Sequence, residues 1–378
     1  MHKLLFFILA LFFIIVNNVF LYKYGYRVLE NKIIFFNILY TLFLTSLFLF
    51  KIPNRFLTSK TYIIVSVLAI FLSLIITLII DGNSLNSDRW SAMTVAIEAI
   101  FNNEYPYTAT DHLNGRTSNF PGLILIGMPF YFFGNVGLLQ IFALILLSYT
   151  LYTTLPLKKA FTYLVLFLSS IAFWYEVASL SDFMSNVILV FCFIMLWNKN
   201  NSKSKYNKPV ILAIILSVLL LIRGIVFVPL VLYFFADFFK NKIKTQFLFL
   251  LIFIVTNTLL TYLVLKDCPD LETLKQFNPL VLQTSYTPQW FNLTMIFLPI
   301  FISLFIKNFY QFLIAAISIN LFIIGYYFIQ SISLFGIHEA IHNSKIDVVY
   351  LSFMFPFLCL YFVITNSKSP SESHQSIF

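Results

Sequence analysis

Charge is what this sequence has least of. Only 10% of its 378 residues are Asp, Glu, Lys or Arg, against 60% hydrophobic residues, and the mean hydropathy is +0.90. Soluble domains carry roughly 25% charged residues, so an ordinary water-soluble domain is excluded. Acids are scarcer than bases, 15 against 24, for a net charge of +9. That balance invites a nucleic-acid reading. It fails, because Lys and Arg sit in short clusters between apolar runs, as the positive-inside rule requires. Cysteine numbers three: Cys192 and Cys359 inside apolar runs, Cys268 alone in a polar one. Such an odd, scattered set gives neither a disulfide framework nor a thiolate metal site. No G-x-G-x-x-G or Walker loop is present, so no Gly-rich phosphate cradle is expected. There is no internal repeat and no separate soluble domain.

What the chain does have is apolar length. Hydrophobic runs fall at 3–22, 33–50, 61–80, 121–134, 137–155, 161–177, 183–197, 209–222, 224–238, 246–265, 291–306, 310–332 and 347–365. Most approach the roughly 17–25 residues a helical span needs. Leu4–Tyr22 is long enough to span and has no A-x-A cleavage site, so it is expected to remain as a span. The expected fold class is all-α: a polytopic membrane helical bundle forming one domain over 1–365. The polar residues 366–378 read as a disordered cytoplasmic tail.

Lys and Arg orient the bundle. The basic clusters at 51–60, 156–160, 198–208 and 239–245 are placed in the cytoplasm, with both termini. The loops at 81–120, 176–182, 266–290 and 333–346 then lie outside. On that assignment only Asp237 and Glu372, of the 15 acids, are inside. Residues 121–155 must then cross an odd number of times. The run PGLILIGMPFYFFG (121–134), with two prolines and two glycines, is therefore expected to be shallow or re-entrant, leaving about 12 spans. Irregular backbone at membrane depth survives only where protein or a watery cavity covers it.

Asp81–Gly122 is the one long polar interval, and it holds five of the 15 carboxylates. Ser87 is the expected N-cap of a surface helix whose apolar face is Trp90, Met93, Ile97, Ile100 and Phe101. Asp88 and Arg89 stand at its start. Asp88 there can accept a proton from an acceptor group, or simply favour a helix N-terminus. Tyr105-Pro106-Tyr107 turns the chain, and Asp111, His112 and Arg116 follow. Arg116 is a planar fork suited to phosphate, or an ordinary surface arginine. Glu176 and Asp182 flank another outer turn, where acids near apolar helix ends are expensive unless they face a cavity. Arg223 interrupts LLLIRGIVFVPL and reads as a partner for a lipid phosphate, or as an arginine snorkelling to the interface.

His338-Glu339-Ala340-Ile341-His342 is a literal H-E-x-x-H. On a helix this is the zinc-peptidase arrangement. The only near third ligand is Asp347. The alternative is that His338 and His342 line the same outer cavity. A flippase or transporter without covalent chemistry is a further alternative. Transporters more often show midplane charges and a repeat, whereas here nearly every charge lies at an edge.

The run SDRWSAMTVAIEAIFNNEYPY followed by RTSNFPGLILIGMPFYFFGN resembles the first external loop of the GT-C glycosyltransferases. These are integral-membrane enzymes that use polyprenyl-phosphate-linked sugars; protein O-mannosyltransferases and the lipid A aminoarabinose transferase are members. Asp88 matches the family's acidic position, Tyr105–Tyr107 its turn and Asn119–Gly122 its Pro-rich lead-in to the next apolar segment. Arg116 lies near its basic position, and LLLIRGIVFVPLVLYF is similar to its later basic helix break. The likeness covers residues 81–240. Asp88-Arg89 stands where the family has an adjacent acidic pair, Asn119 where it has a basic residue, and two extra spans precede the loop. The resemblance implies a GT-C-like fold and transfer of a sugar from a polyprenyl-phosphate donor at the non-cytoplasmic face of a bacterial inner (plasma) membrane. It implies Asp88 as base, with Arg89, Tyr107, Asp111, Arg116, Glu176, Asp182, Arg223, His338 and His342 around the substrates. The acceptor is a glycan, lipid or protein. No cofactor is implied, and a divalent metal is left open.

Overall fold

The computed structural model describes residues 2–49, 52–201, 204–284, 287–341 and 347–365; the tail at 366–378 lies outside them. The chain folds as helices with no named strand among the described residues. In order these are α1 (His2–Leu29), α2 (Ile33–Leu49), α3 (Ser59–Ile79), α4 (Arg89–Phe101) and α5 (Pro121–Phe132). Next come α6 (Leu138–Thr154), α7 (Leu157–Leu168), α8 (Ile171–Ala178), α9 (Phe183–Asn200), α10 (Pro209–Leu220) and α11 (Phe227–Phe238). The last are α12 (Ile243–Leu265), α13 (Leu271–Gln276), α14 (Pro279–Thr284), α15 (Gln289–Ser303), α16 (Phe309–Ile341) and α17 (Phe355–Thr365).

Among the described residues, six helical stretches are long and apolar enough to cross a membrane, or seven if the bent pair α7–α8 is one span. The count of about 12 expected from the hydrophobic runs is not reproduced by length, because five further apolar helices have 10–17 residues. One stretch, Lys3–Leu49, folds back on itself: Glu30 sits at φ 45, and Thr41 donates to Asn18 at 3.1 Å across the α1–α2 hairpin. Leu, Ile and Phe side chains are exposed along α1, α2, α3 and α12. That is far more apolar surface than water tolerates in contiguous patches, and it fits helices solvated by lipid. The core lies inward, on α9 and α17.

α5 has a special position. Its 12 residues extend about 18 Å, short of the roughly 30 Å hydrocarbon core. A Cβ on Gly122 would lie 2.5 Å from the carbonyl oxygen of Val218, so only glycine lets α5 begin against the end of α10. Leu123 then donates its N–H to the Leu221 carbonyl at 3.2 Å. After α5, Asn135 returns to α3 and α4, donating to Thr77 O at 3.1 Å and accepting from Trp90 Nε1 at 2.9 Å. The chain therefore enters and leaves α5 at one end of the bundle.

That end gathers the polar loops. Tyr105 donates to Phe277 O at 2.7 Å, Lys266 to Asn103 Oδ1 at 3.4 Å, and Arg89 to Asp347 Oδ2 at 2.6 Å. The basic segments cluster apart from it. Lys205 donates to the Tyr233 carbonyl and pairs with Asp237, each at 2.6 Å; Lys199 donates to the Thr153 carbonyl. The loops assigned by charge to opposite faces thus fall into two separate groups.

Candidate functional site

The site forms where α9 begins. Asp182 is the N-cap of α9, yet its carboxylate makes no capping bond. Glu176 does that work instead: its Oε2 accepts the N–H of Met184 at 2.9 Å, satisfying one of the donors a helix start leaves orphaned. Leu180, held at φ 50, turns the chain between the two acids. Asp182 Oδ2 is thereby free to accept from Asn186 Nδ2 at 3.0 Å and from Arg223 Nη2 at 3.3 Å.

Arg223 is only 1% exposed. It sits in the extended residue before a short 3-10 turn, with its guanidinium carbon 4.7 Å from the centroid of Phe183. The same Nη2 reaches Asn119 Oδ1 at 3.4 Å. Among the described residues, Nε and Nη1 have no hydrogen-bond partner, and neither does Asp182 Oδ1 or Asn119 Nδ2. Buried polar atoms are normally paired. A fully buried guanidinium with two of its nitrogens unsatisfied is a donor array suited to an anion's oxygens.

Arg89 approaches the same ring, its guanidinium carbon 5.7 Å from the Phe183 centroid. It pairs with Asp347 at 2.6 Å and lies 3.9 Å from Asp88 Oδ1. Burial works against its charge, but Asp347, Tyr350, Asp88 and Asp182 together hold its pKa above the ordinary arginine value. Asp347 is fixed in turn by capping Val349 N at 3.0 Å. The Asp88 side chain is 48% exposed. It is the N-cap of α4, one residue later than the expected Ser87, and it too makes no capping bond. The half-exposed Asp88 and the buried Asp182 therefore flank an aromatic ring that carries two guanidiniums.

The other expected residues have different surroundings. Tyr107, fully buried, donates to Asn119 O at 3.0 Å, which ties the turn to the residue that meets Arg223. Asp111 folds its own loop, accepting from Leu113 N at 2.8 Å and Gly115 N at 3.0 Å. His112 bridges Ser91 Oγ at 2.5 Å and the Leu85 carbonyl at 2.7 Å; a carbonyl only accepts, which places a proton on Nε2. Arg116 is exposed and lies 4.0 Å over Phe277, apart from the Phe183 group. Of the expected α4 face, Met93 and Ile97 are buried, but Phe101 is 48% exposed, and Ala92, Ala96 and Ala99 complete the core face. The motif His338-Glu339-His342 falls largely outside what the structure describes: His342 is not among the described residues, nor is the His338 side chain. Gly336, at φ 79, breaks α16 just before it. No group of three or more His, Cys, Asp or Glu is placed to hold a metal among the described residues.

Three contributors were not among the residues expected around the substrates. Phe183 reads as one more apolar residue, and Asp347 stands out only by its nearness to the H-E-x-x-H. Gln283 joins two loops: it donates to Ser118 O at 2.7 Å while accepting Gly224 N at 3.1 Å. It thus closes the segment after α13 over the start of the Arg223 turn. A groove of about 730 Å³ between α1 and α2 is lined by none of these ionic groups.

No family model, curated protein or solved structure matches this chain.

Proposed function

We propose that the protein is a GT-C-type glycosyltransferase that moves a sugar from a polyprenyl-phosphate donor to an acceptor at the membrane face bearing the Asp81–Gly122 loop. The observation that carries this reading is the shared ring of Phe183, with Arg89 and Arg223 against it and carboxylates on either side. Arg223 supplies unsatisfied N–H groups to the donor phosphate, which leaves as polyprenyl phosphate when the glycosidic bond breaks. Asp88 takes the proton of the acceptor group that attacks the anomeric carbon. Arg89, held between Asp88 and Asp347, fixes the base beside the donor. The charges lie at the end of an apolar bundle, where a lipid brings its head group to the protein without leaving the bilayer. A short α5 with both flanks at that end belongs to the same picture, as a re-entrant wall of the site. The face concerned is non-cytoplasmic by the positive-inside assignment.

The test is chemical. Purified protein in detergent, given a radiolabelled polyprenyl-phosphate sugar, is expected to release polyprenyl phosphate only when acceptor is present. Unchanged donor with every class of acceptor, whether glycan, lipid or protein, would remove the transferase reading. Stoichiometric zinc bound through His338 and His342, with peptide cleavage, would replace it by the peptidase.

A further inference from the structure

We infer that the cleft between α4 and the turn after α5 is a saccharide-binding subsite. Its volume is about 440 Å³, and Trp90, Thr94, Glu98, Tyr131, Phe132 and Asn135 line it. Small-molecule sites span roughly 300–1,000 Å³, so the cleft has room for a ring-sized ligand.

The lining is built and held. Trp90 lies on Gly82, where a Cβ would come within 2.2 Å of the indole, so any other residue at 82 would displace the ring. Its Nε1–H donates to Asn135 Oδ1 at 2.9 Å. Asn135 is itself fixed, accepting Gly137 N at 2.8 Å and donating to Thr77 O at 3.1 Å. Across the cleft, the Tyr131 hydroxyl donates to Glu98 Oε1 at 3.3 Å, and Glu98 Oε2 has no hydrogen bond among the described residues. Thr94 Oγ1 gives its proton to the Trp90 carbonyl at 3.0 Å and keeps its lone pairs.

This inventory selects a ligand. Among the described residues no Lys, Arg or His lines the cleft, so none of them there recognises a phosphate or carboxylate. The remaining capacity is acceptor-rich, from Glu98 and Thr94, beside the rings of Trp90, Tyr131 and Phe132. A sugar ring matches both features: its hydroxyls donate, and its C–H faces are apolar enough to lie on aromatic rings. An ammonium group also suits aromatic rings and a carboxylate, but it is too small to fill this volume. Trp90 and Asp88 both belong to the start of α4, so the cleft opens at the helix end that carries the proposed base, although Asp88 does not itself line it. The role of acceptor subsite rests on the glycosyl-transfer reading; the binding of a saccharide does not.

The test uses the full chain in detergent micelles against an array of neutral mono- to tetrasaccharides, and against the same saccharides as lipid head groups in vesicles. Saturable binding to a subset is expected, weakened tenfold or more by Glu98→Ala and by Trp90→Phe. Glu98 is exposed, so its variant is expected to fold. Stronger binding of the vesicle-borne sugar would identify a lipid-linked source, and equal binding a free one; both support the subsite. No saccharide bound, binding untouched by both variants, or capture of choline-headed vesicles in place of sugars would overturn it. Intact transfer by Glu98→Ala with saccharide binding lost would overturn the role of acceptor subsite and spare the transferase. Saccharide binding with no release of polyprenyl phosphate would overturn the transferase and spare the saccharide site.

Discussion

Arg89 and Arg223, far apart in the chain, lie against one ring: their guanidinium carbons are 5.7 and 4.7 Å from the centroid of Phe183. Two cations this near repel unless acids intervene, and here Asp347 and Asp88 attend the first while Asp182 attends the second. The two arginines are unequal. Arg89 has a full partner in Asp347, whereas Arg223 has long contacts and unsatisfied nitrogens. On the proposed reading, this division gives Arg223 to the ligand and Arg89 to the architecture around Asp88.

Asp88→Asn is expected to abolish transfer while leaving the fold intact. The side chain is half exposed and makes no cap, and surface substitutions of that kind cost within about 0.5 kcal/mol. Thermal unfolding in detergent should coincide with the parent protein while polyprenyl phosphate release disappears. Full retention of transfer would take Asp88 out of the mechanism.

Arg223→Ala is expected to weaken donor binding and also to destabilise, because it strands the buried Asp182. Removing one member of a buried pair costs about 3–5 kcal/mol. The double variant Asp182→Asn/Arg223→Met leaves no orphan charge and should recover much of that stability without recovering donor binding. An unchanged apparent donor affinity in either variant would count against a phosphate role for Arg223.

The sequence carried the large-scale part of this structure because lipid makes apolar length and basic loops informative on their own. It also pointed to Asp88, Glu176, Asp182 and Arg223, since charges beside apolar helix ends are costly and draw attention. It did not reveal their division of labour. That Glu176 caps α9 so that Asp182 can face Arg223 depends on the φ 50 turn at Leu180, which a leucine does not advertise. Gln283, joining Ser118 to Gly224, and Phe183 under both guanidiniums are long-range contacts between ordinary-looking residues. The span count also resisted reading, because short apolar helices such as α10 and α15 give the same hydropathy as full crossings.

Glu176→Gln tests that division of labour. The amide oxygen can still accept the Met184 N–H, so the start of α9 should survive with a small loss of stability. Glu176→Ala deletes the cap and should cost about 1 kcal/mol, read as a lower Tm. With its helix start uncapped, the Asp182 side chain is expected to turn back to cap α9 and release Arg223. Donor affinity should then fall in the Ala variant and hold in the Gln variant. Equal donor affinity in both would show that Asp182 reaches Arg223 without help from Glu176.

Gly122→Ala addresses the wall of the site. The added methyl would lie 2.5 Å from Val218 O and 2.8 Å from Leu221 O, both backbone atoms at the end of α10. Backbone cannot swing aside as a flexible side chain can, so α5 must move away from α10, and the 3.2 Å bond from Leu123 N to Leu221 O is lost with it. Overpacking of this kind costs about 1–3 kcal/mol. The displacement acts two residues from Arg223 and three from Asn119, so donor binding should fall together with stability. Gly134→Ala is the control: among the described residues no atom beyond its chain neighbours lies within 4 Å of a Cβ there, though at φ 85 an alanine is strained where glycine is not. It should lower the melting temperature while leaving donor affinity alone. If Gly122→Ala also lowered stability without touching donor affinity, the junction of α5 and α10 would be mere packing, and the site would have to be closed by other elements.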